Sequence, residues 1–196
     1  MFDSGIKAQT LFKEIENEAD IAIDVGNTYF VSWLNTLEQM LYSEIIKEQA
    51  EHTFTSAGNA KLQSITVTGD NVRYEDVHAV YADGLQLKET TLASGAVFPN
   101  TYFKKANDIA FSDDVTGKTI KIIYIVRPKI KTTSNMSTEN VKLPTEFVEL
   151  AKAKLRGEAY KLANEDGLSA KWLGDYNVLL ETFKVWIQNK SPSFGI

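Results

Sequence analysis

Between Thr28 and Ala50 the apolar residues Phe30, Trp33, Leu34, Leu37, Leu41 and Ile45 recur at steps of three and four, the spacing that gathers side chains on one face of an α-helix. Asn27 and Thr28 stand where helix-capping residues belong. A narrower stripe of Leu11, Phe12 and Ile15 predicts a helix over Ala8–Glu18, after which Asp20–Gly26 has to turn the chain.

From Leu62 to Lys131 the period changes to two. Ile65–Val67, Val77–Ala79–Tyr81 and Leu85–Leu87 alternate, with an Asp83-Gly84 turn between the last two, the pattern of short strands joined by hairpins. The clearest strand is Thr119–Lys131. Ile120, Ile122, Tyr124, Val126 and Ile130 share one of its faces, and Lys121, Arg127, Lys129 and Lys131 share the other. Pro128 predicts that this end lies at a sheet edge.

Thr132–Asn140 is small, polar and unpatterned, as a connector would be. Leu143-Pro144-Thr145-Glu146 then opens a helix, continued by Phe147, Leu150, Ala151, Leu155, Ala159 and Leu162. Gly167 is the expected stop, and Ser169 the expected cap of a last helix whose apolar side carries Trp172, Leu173, Tyr176, Leu180, Phe183 and Ile187. The order helices, strands, helices predicts an α+β fold. Residues 1–55 and 141–190 form a helical bundle, 56–140 a β-rich insertion, and 191–196 an extended C-terminal tail.

Composition narrows the chemistry. At 196 residues with 43% apolar content the chain can bury a core. With no cysteine and two histidines, His52 and His78, it has no disulfide, no thiolate zinc site and no histidine cluster. No apolar run suits a signal peptide or a membrane span, so a cytosolic origin and no membrane partner are expected. The net charge of −5 is concentrated at the start, where residues 1–55 hold Lys7, Lys13 and Lys47 against ten carboxylates. A dedicated DNA-binding surface is not expected there.

Several local motifs suggest chemistry and then fail on context. Ile23-Asp24-Val25-Gly26-Asn27-Thr28 is similar to the phosphate-binding turn of actin-like sugar and pantothenate kinases, which would make the chain a nucleotide-binding enzyme. That turn joins two strands, whereas helical patterns flank it here; a helix-capping turn is the plainer reading. Gly117-Lys118-Thr119 resembles the end of a P-loop, but Ser112 stands where the earlier glycine is required and a strand follows. Asp113-Asp114 lacks the alternating oxygen ligands of a calcium loop. Glu75-Asp76 reads as a solvated turn. The basic face of Lys121, Arg127, Lys129 and Lys131 shares no aromatic side chain for stacking a base, and reads as solvated or edge-protecting. Trp33 and Trp172 sit on helix stripes and are expected in the core. No catalytic residue, metal ligand or cofactor is therefore expected. Phe194 and Ile196 differ in lying beyond the last helix, so that Ser191, Pro192, Ser193, Phe194, Gly195 and Ile196 are either an anchor into a neighbouring subunit or a docked or frayed end.

The whole layout resembles the head-to-tail adaptor (connector, head-completion) proteins of tailed bacteriophages, of the short-tailed type. The resemblance rests on the helix FVSWLNTLEQMLYSEIIKEQ, the strand KTIKIIYIVRPK and the closing pair LPTEFVELAKAKLRGEAYKLANEDG and LSAKWLGDYNVLLETFKVWI. It implies a structural virion protein without catalytic turnover, a ring of about twelve copies in the neck between capsid and tail, assembled in the bacterial cytoplasm. Its partners would be the portal protein, a tail or nozzle protein, further copies of itself, and genomic DNA passing through the channel without specific binding. Residues 191–196 would dock on the portal. Another tail-completion or minor virion protein is the alternative in the same class, and a nucleotide-binding enzyme the alternative outside it.

Overall fold

The computed structural model describes residues 1–18, 26–56, 62–64, 76–90, 99–105 and 108–190. Among them are four α-helices, α1 (Ala8–Glu18), α2 (Asn27–Met40), α3 (Val148–Leu162) and α4 (Asp166–Lys190). Seven strands also occur, β1 (Gln49–Thr55), β2 (Leu62–Ser64), β3 (Val77–Ala82), β4 (Leu85–Glu89), β5 (Thr101–Lys105), β6 (Asp108–Phe111) and β7 (Thr119–Ile125). The fold is thus mixed helix and sheet. The chain divides into two units, Met1–Ile46 with Pro128–Ile196, and Lys47–Arg127.

In the helical unit the expected stripes are the buried ones, except that Leu162, at the last turn of α3, is exposed. Leu11, Phe12 and Ile15 of α1, Phe30, Leu34 and Leu37 of α2, Leu150, Ala151 and Leu155 of α3, and Tyr176, Phe183 and Ile187 of α4 join one apolar cluster, with Trp33 and Trp172 packed half-buried against it. Helix α2 ends sooner than its sequence stripe suggests. After Met40 the chain widens into a π-helical turn, Leu41–Ile46, and leaves it at Lys47, whose φ is 49°. From there Ala50, His52 and Phe54 alternate with polar residues, and tertiary pairing makes 49–55 a strand.

Neither Asn27 nor Thr28 caps α2: Gly26 occupies the cap position, with no side-chain hydrogen bond. Nor does Gly167 stop α3, or Ser169 cap α4. Helix α3 closes at Ala163, and Asn164 takes the left-handed conformation (φ 60°) while Asn164 N–H donates to Lys161 O (3.1 Å) and Glu165 N–H to Tyr160 O (2.9 Å). This is the Schellman closure, with asparagine in the role that glycine more often fills. Gly167 lies inside α4, and Ser169, also inside it, donates to Gly157 O at 2.9 Å.

The segment 132–140 is more than a connector. Its turns bury Met136, and its carbonyls cap α1, since Ala8 N–H donates to Glu139 O and Gln9 N–H to Met136 O, each at 3.0 Å. The first helical N–H groups have no partner within their own helix; here the returning chain supplies one.

The strand unit is one sheet in the order β1-β7-β3-β4-β5-β6-β2, antiparallel throughout except for β4 and β5. Asp83 (φ 48°) and Gly84 (φ 82°) make the expected hairpin turn between β3 and β4. Its core gathers Val80, Ile109, Phe111, Ile120, Ile122 and Tyr124. Strand β7 stops at Ile125 and pairs with β1 and β3, so it is an interior strand; Pro128 lies beyond its end, buried, and marks no edge. The expected strand at 65–67 lies outside the described residues.

Candidate interaction surface

Several of the ten carboxylates of residues 1–55 are tied into the fold by ion pairs. Glu38 lies at a four-residue step from Leu34, on the apolar face of α2, and both it and Lys131 are 1% exposed and ion-paired. The second Glu38 oxygen accepts the Lys142 N–H at 2.8 Å. One turn back, Asn35 bonds the Lys131 main chain twice at 2.8 Å, donating from Nδ2 to Lys131 O and accepting from Lys131 N–H. Gln39 Nε2 donates to Pro128 O at 2.6 Å. Three polar residues of α2, Asn35, Glu38 and Gln39, thus hold the chain as it returns through 128–142. Burial pushes the Glu38 carboxyl above its ordinary value, and the Lys131 ammonium opposes that push.

A second polar seam ties the N-terminus to the same segment. Ser4 N–H and Oγ both donate to Val141 O (3.1 and 2.9 Å), and Val141 N–H donates to Ile6 O (2.8 Å). Asp3 accepts the Gly5 N–H at 2.9 Å, Asn140 Nδ2 at 2.8 Å and Lys142 Nζ at 3.0 Å. The Gly5 N–H first, then the Lys142 ammonium, hold its carboxyl down at about 2.

These pairings correct the solvated basic face at Lys131 and Arg127, while Lys129 is exposed as expected. Lys131 is buried against Glu38. Arg127 Nη2 meets Asp76, itself 3% exposed, at 2.6 Å, so Asp76 is no solvated turn residue either. Ile130, expected to share a buried strand face, is exposed. Lys121 lies 3.5 Å from Glu51 and 4.9 Å from the ring centre of Tyr81, its cross-strand neighbour, so an aromatic side chain does accompany that face.

The remaining motifs fall as follows. Gly26 and Thr28 open α2, and the elements flanking the Asp24 turn are helices α1 and α2, not strands; Asp24 itself lies outside the described residues. Gly117 (φ 74°) turns the chain into β7. Asp113 accepts the Asn100 N–H at 2.6 Å and Asp114 the Thr116 N–H at 2.9 Å, both fixing turns. His52 lies half-buried on β1, and His78 is exposed at the bulge of β3. Among the described residues no group of three or more His, Asp or Glu side chains is placed to hold a metal ion. No helix among them is long and apolar enough to cross a membrane.

Helix α4 turns Val178 and Val185, seven residues apart on one face, out to solvent at 69% and 55% exposure. Its last turns are anchored from the other side. Phe183 and Trp186 meet Phe147 with ring centres 4.9 and 5.2 Å away, Phe2 lies 5.8 Å from Trp186, and Lys190 Nζ sits 4.0 Å over the Trp186 ring. Residues 191–196 follow directly and lie outside the described residues. No protein-family model matches the chain, and no curated protein matches it significantly.

Proposed function

We propose that this chain is a structural virion protein, a head-to-tail adaptor that forms a ring of about twelve copies between the portal and the tail of a short-tailed bacteriophage. In this reading the helices from the two ends of the chain make a bundle, the strand segment is an insertion in it, and the protein works by assembly without turnover. It leaves the bacterial cytoplasm as part of the virion neck, with the viral DNA passing through the ring. The observation that carries the reading is the division of the chain. Both ends contribute to a single apolar cluster, from Leu11 and Leu34 to Leu150 and Phe183, while residues 47–127 carry a separate one. That is the layout the resemblance implies.

The tail supplies the contact. Ser191, Pro192, Ser193, Phe194, Gly195 and Ile196 bring two large apolar groups just past a helix end fixed by the aromatic cluster at Trp186, and an apolar segment can order on binding. They are the proposed portal-docking residues.

The test is light scattering on a sizing column, with the full chain and a chain ending at Lys190, each alone and mixed with the candidate portal. Portal-dependent gain of about a dozen copies by the full chain, lost on truncation, is the expected result. A full chain that ignores the portal but binds tail components would replace the reading with a tail-completion role. Nucleotide binding abolished by Asp24→Ala would replace it with an enzyme.

A further inference from the structure

Strand β1 closes one end of the sheet, and among the described residues its ladder partner is β7 alone. The phase of that ladder decides where its other main-chain groups point. Glu48 O accepts the Val126 N–H at 2.8 Å, and Ser56 N–H donates to Lys118 O at 3.0 Å, so even-numbered residues turn their main-chain groups toward β7. In an antiparallel pair the alternate residues point the other way. Gln49, Glu51, Thr53 and Thr55 therefore direct N–H and C=O outward, and these four are exposed, whereas Ala50, His52 and Phe54 are half-buried. Natural edges are usually blunted by proline, lysine, a bulge or short length. This one is seven residues long, in unbroken register from Gln49↔Ile125 to Thr55↔Thr119, without proline or lysine.

We propose that the outer edge of β1 pairs with β1 of a second copy of this chain, antiparallel about a two-fold axis at His52. The self-complementarity of the strand favours a copy over another extended polypeptide. With His52 on the axis, Glu51 faces the partner's Thr53 and Gln49 faces the partner's Thr55. Four facing pairs result, exchanging about eight main-chain hydrogen bonds with no like charges directly opposed. Ala50 then faces the partner's Phe54 on the half-buried side, which carries the apolar face of the sheet across the junction; Ala50 and Phe54 already pack on the sheet's core cluster. Each Glu51 keeps its own Lys121 at 3.5 Å. A two-fold contact closes on itself, so it describes the free protein and not a ring, and it stands independently of the adaptor reading.

The experiment is sedimentation equilibrium of the full chain from about 5 to 500 μM, the range in which a modest interface dissociates. Wild type should rise with concentration from the chain mass of 21.9 kDa toward twice that value. Thr53→Pro removes an outward N–H at a position where an edge strand tolerates proline; it should stay at the chain mass with an unchanged far-UV spectrum. Thr53→Glu keeps the backbone donor but opposes the partner's Glu51 twice, and should weaken association about tenfold. Thr53→Lys should not weaken it. A monomer at every concentration overturns the proposal, and so does an assembly indifferent to both Thr53→Pro and Thr53→Glu.

Discussion

Lys131→Met tests the buried clamp on α2. In the wild type the ammonium and the Glu38 carboxylate are both 1% exposed, and the carboxylate's other oxygen has the Lys142 N–H at 2.8 Å. Methionine fills similar volume but leaves the carboxylate buried with that one donor. Breaking a buried pair from one side costs about 3–5 kcal/mol, which for a chain of this size lowers the midpoint of thermal unfolding by roughly 6–20 °C. The carboxyl has an escape, which is to keep its proton. Its value is already raised from 4.5 by burial, and without Lys131 it rises further. A group whose folded value is raised contributes its stability below the unfolded value and loses it as pH rises through the folded one. The penalty should therefore be small near pH 4.5 and grow toward pH 8, at up to about 1.4 kcal/mol per pH unit. Adding Glu38→Gln removes the stranded charge, keeps an acceptor for Lys142 N–H, and should recover about half the loss and most of the pH dependence. Urea unfolding followed at 222 nm, at pH 5 and pH 8, reads both quantities. A Lys131→Met penalty under about 1 kcal/mol at pH 8, or one that is the same at both pH values, would refute the reasoning.

Other changes test other contacts. A Cβ on Gly157 would lie 2.7 Å from Leu173 Cγ and Cδ2, so Gly157→Ala, despite its better helix propensity, should cost about 1–2 kcal/mol net by thermal melting, and Leu173→Ala added to it should cost less than it does alone. Asp3, depressed to about 2, contributes stability that is complete above its ordinary 3.8 and is lost as pH falls through about 2. Asp3→Asn should flatten that acid limb; because the side chain is 45% exposed, the loss at pH 7 should stay below about 1 kcal/mol, and the carboxyl resonance of Asp3 should titrate near 2. Truncation at Lys190 should leave the melting temperature unchanged while abolishing any gain in mass on adding portal, and a truncated chain that still binds portal would remove the docking role of Phe194 and Ile196.

The elements were legible wherever one period dominated a window. The stripe of α2, the alternation of β7 and the Asp83-Gly84 hairpin appear where residue spacing puts them, because each buries one face. The failures have physical causes. The end of α2 is hidden because Ile45 extends the helical stripe while β1 owes its existence to pairing with β7, a partner 72 residues away in sequence at Glu51↔Ile123 and invisible to any local window. Sequence points to Gly167 as the stop of α3 because glycine is the commoner left-handed residue, yet Asn164 adopts that conformation, and its N–H and that of Glu165 satisfy two helix carbonyls. Pro128 suggests an edge because the apolar alternation runs past Ile125, although the ladder does not.

The polar clamp left a signal that periodicity alone does not weigh. Glu38 interrupts an otherwise apolar face at a position level with Leu34, and a carboxylate there needs a partner. Its partner Lys131 appeared to belong to a basic strand face, and only the end of β7 at Ile125 frees it to turn inward. The same pairing changes what charge patterning means for function. Of the acidic residues in the first 55, Asp3, Glu14, Glu38 and Glu51 meet Lys142, Lys152, Lys131 and Lys121 in the folded chain, every one of them a lysine from beyond that segment. A block of like charge in sequence is thus partly an assembly instruction for the fold, matching the N-terminal segment to lysines that arrive later in the chain. On the adaptor reading proposed above, a repulsive field toward passing DNA would draw on exposed groups such as Glu16 and Glu44, and replacing those two by glutamine separates a role in the channel from a role in folding.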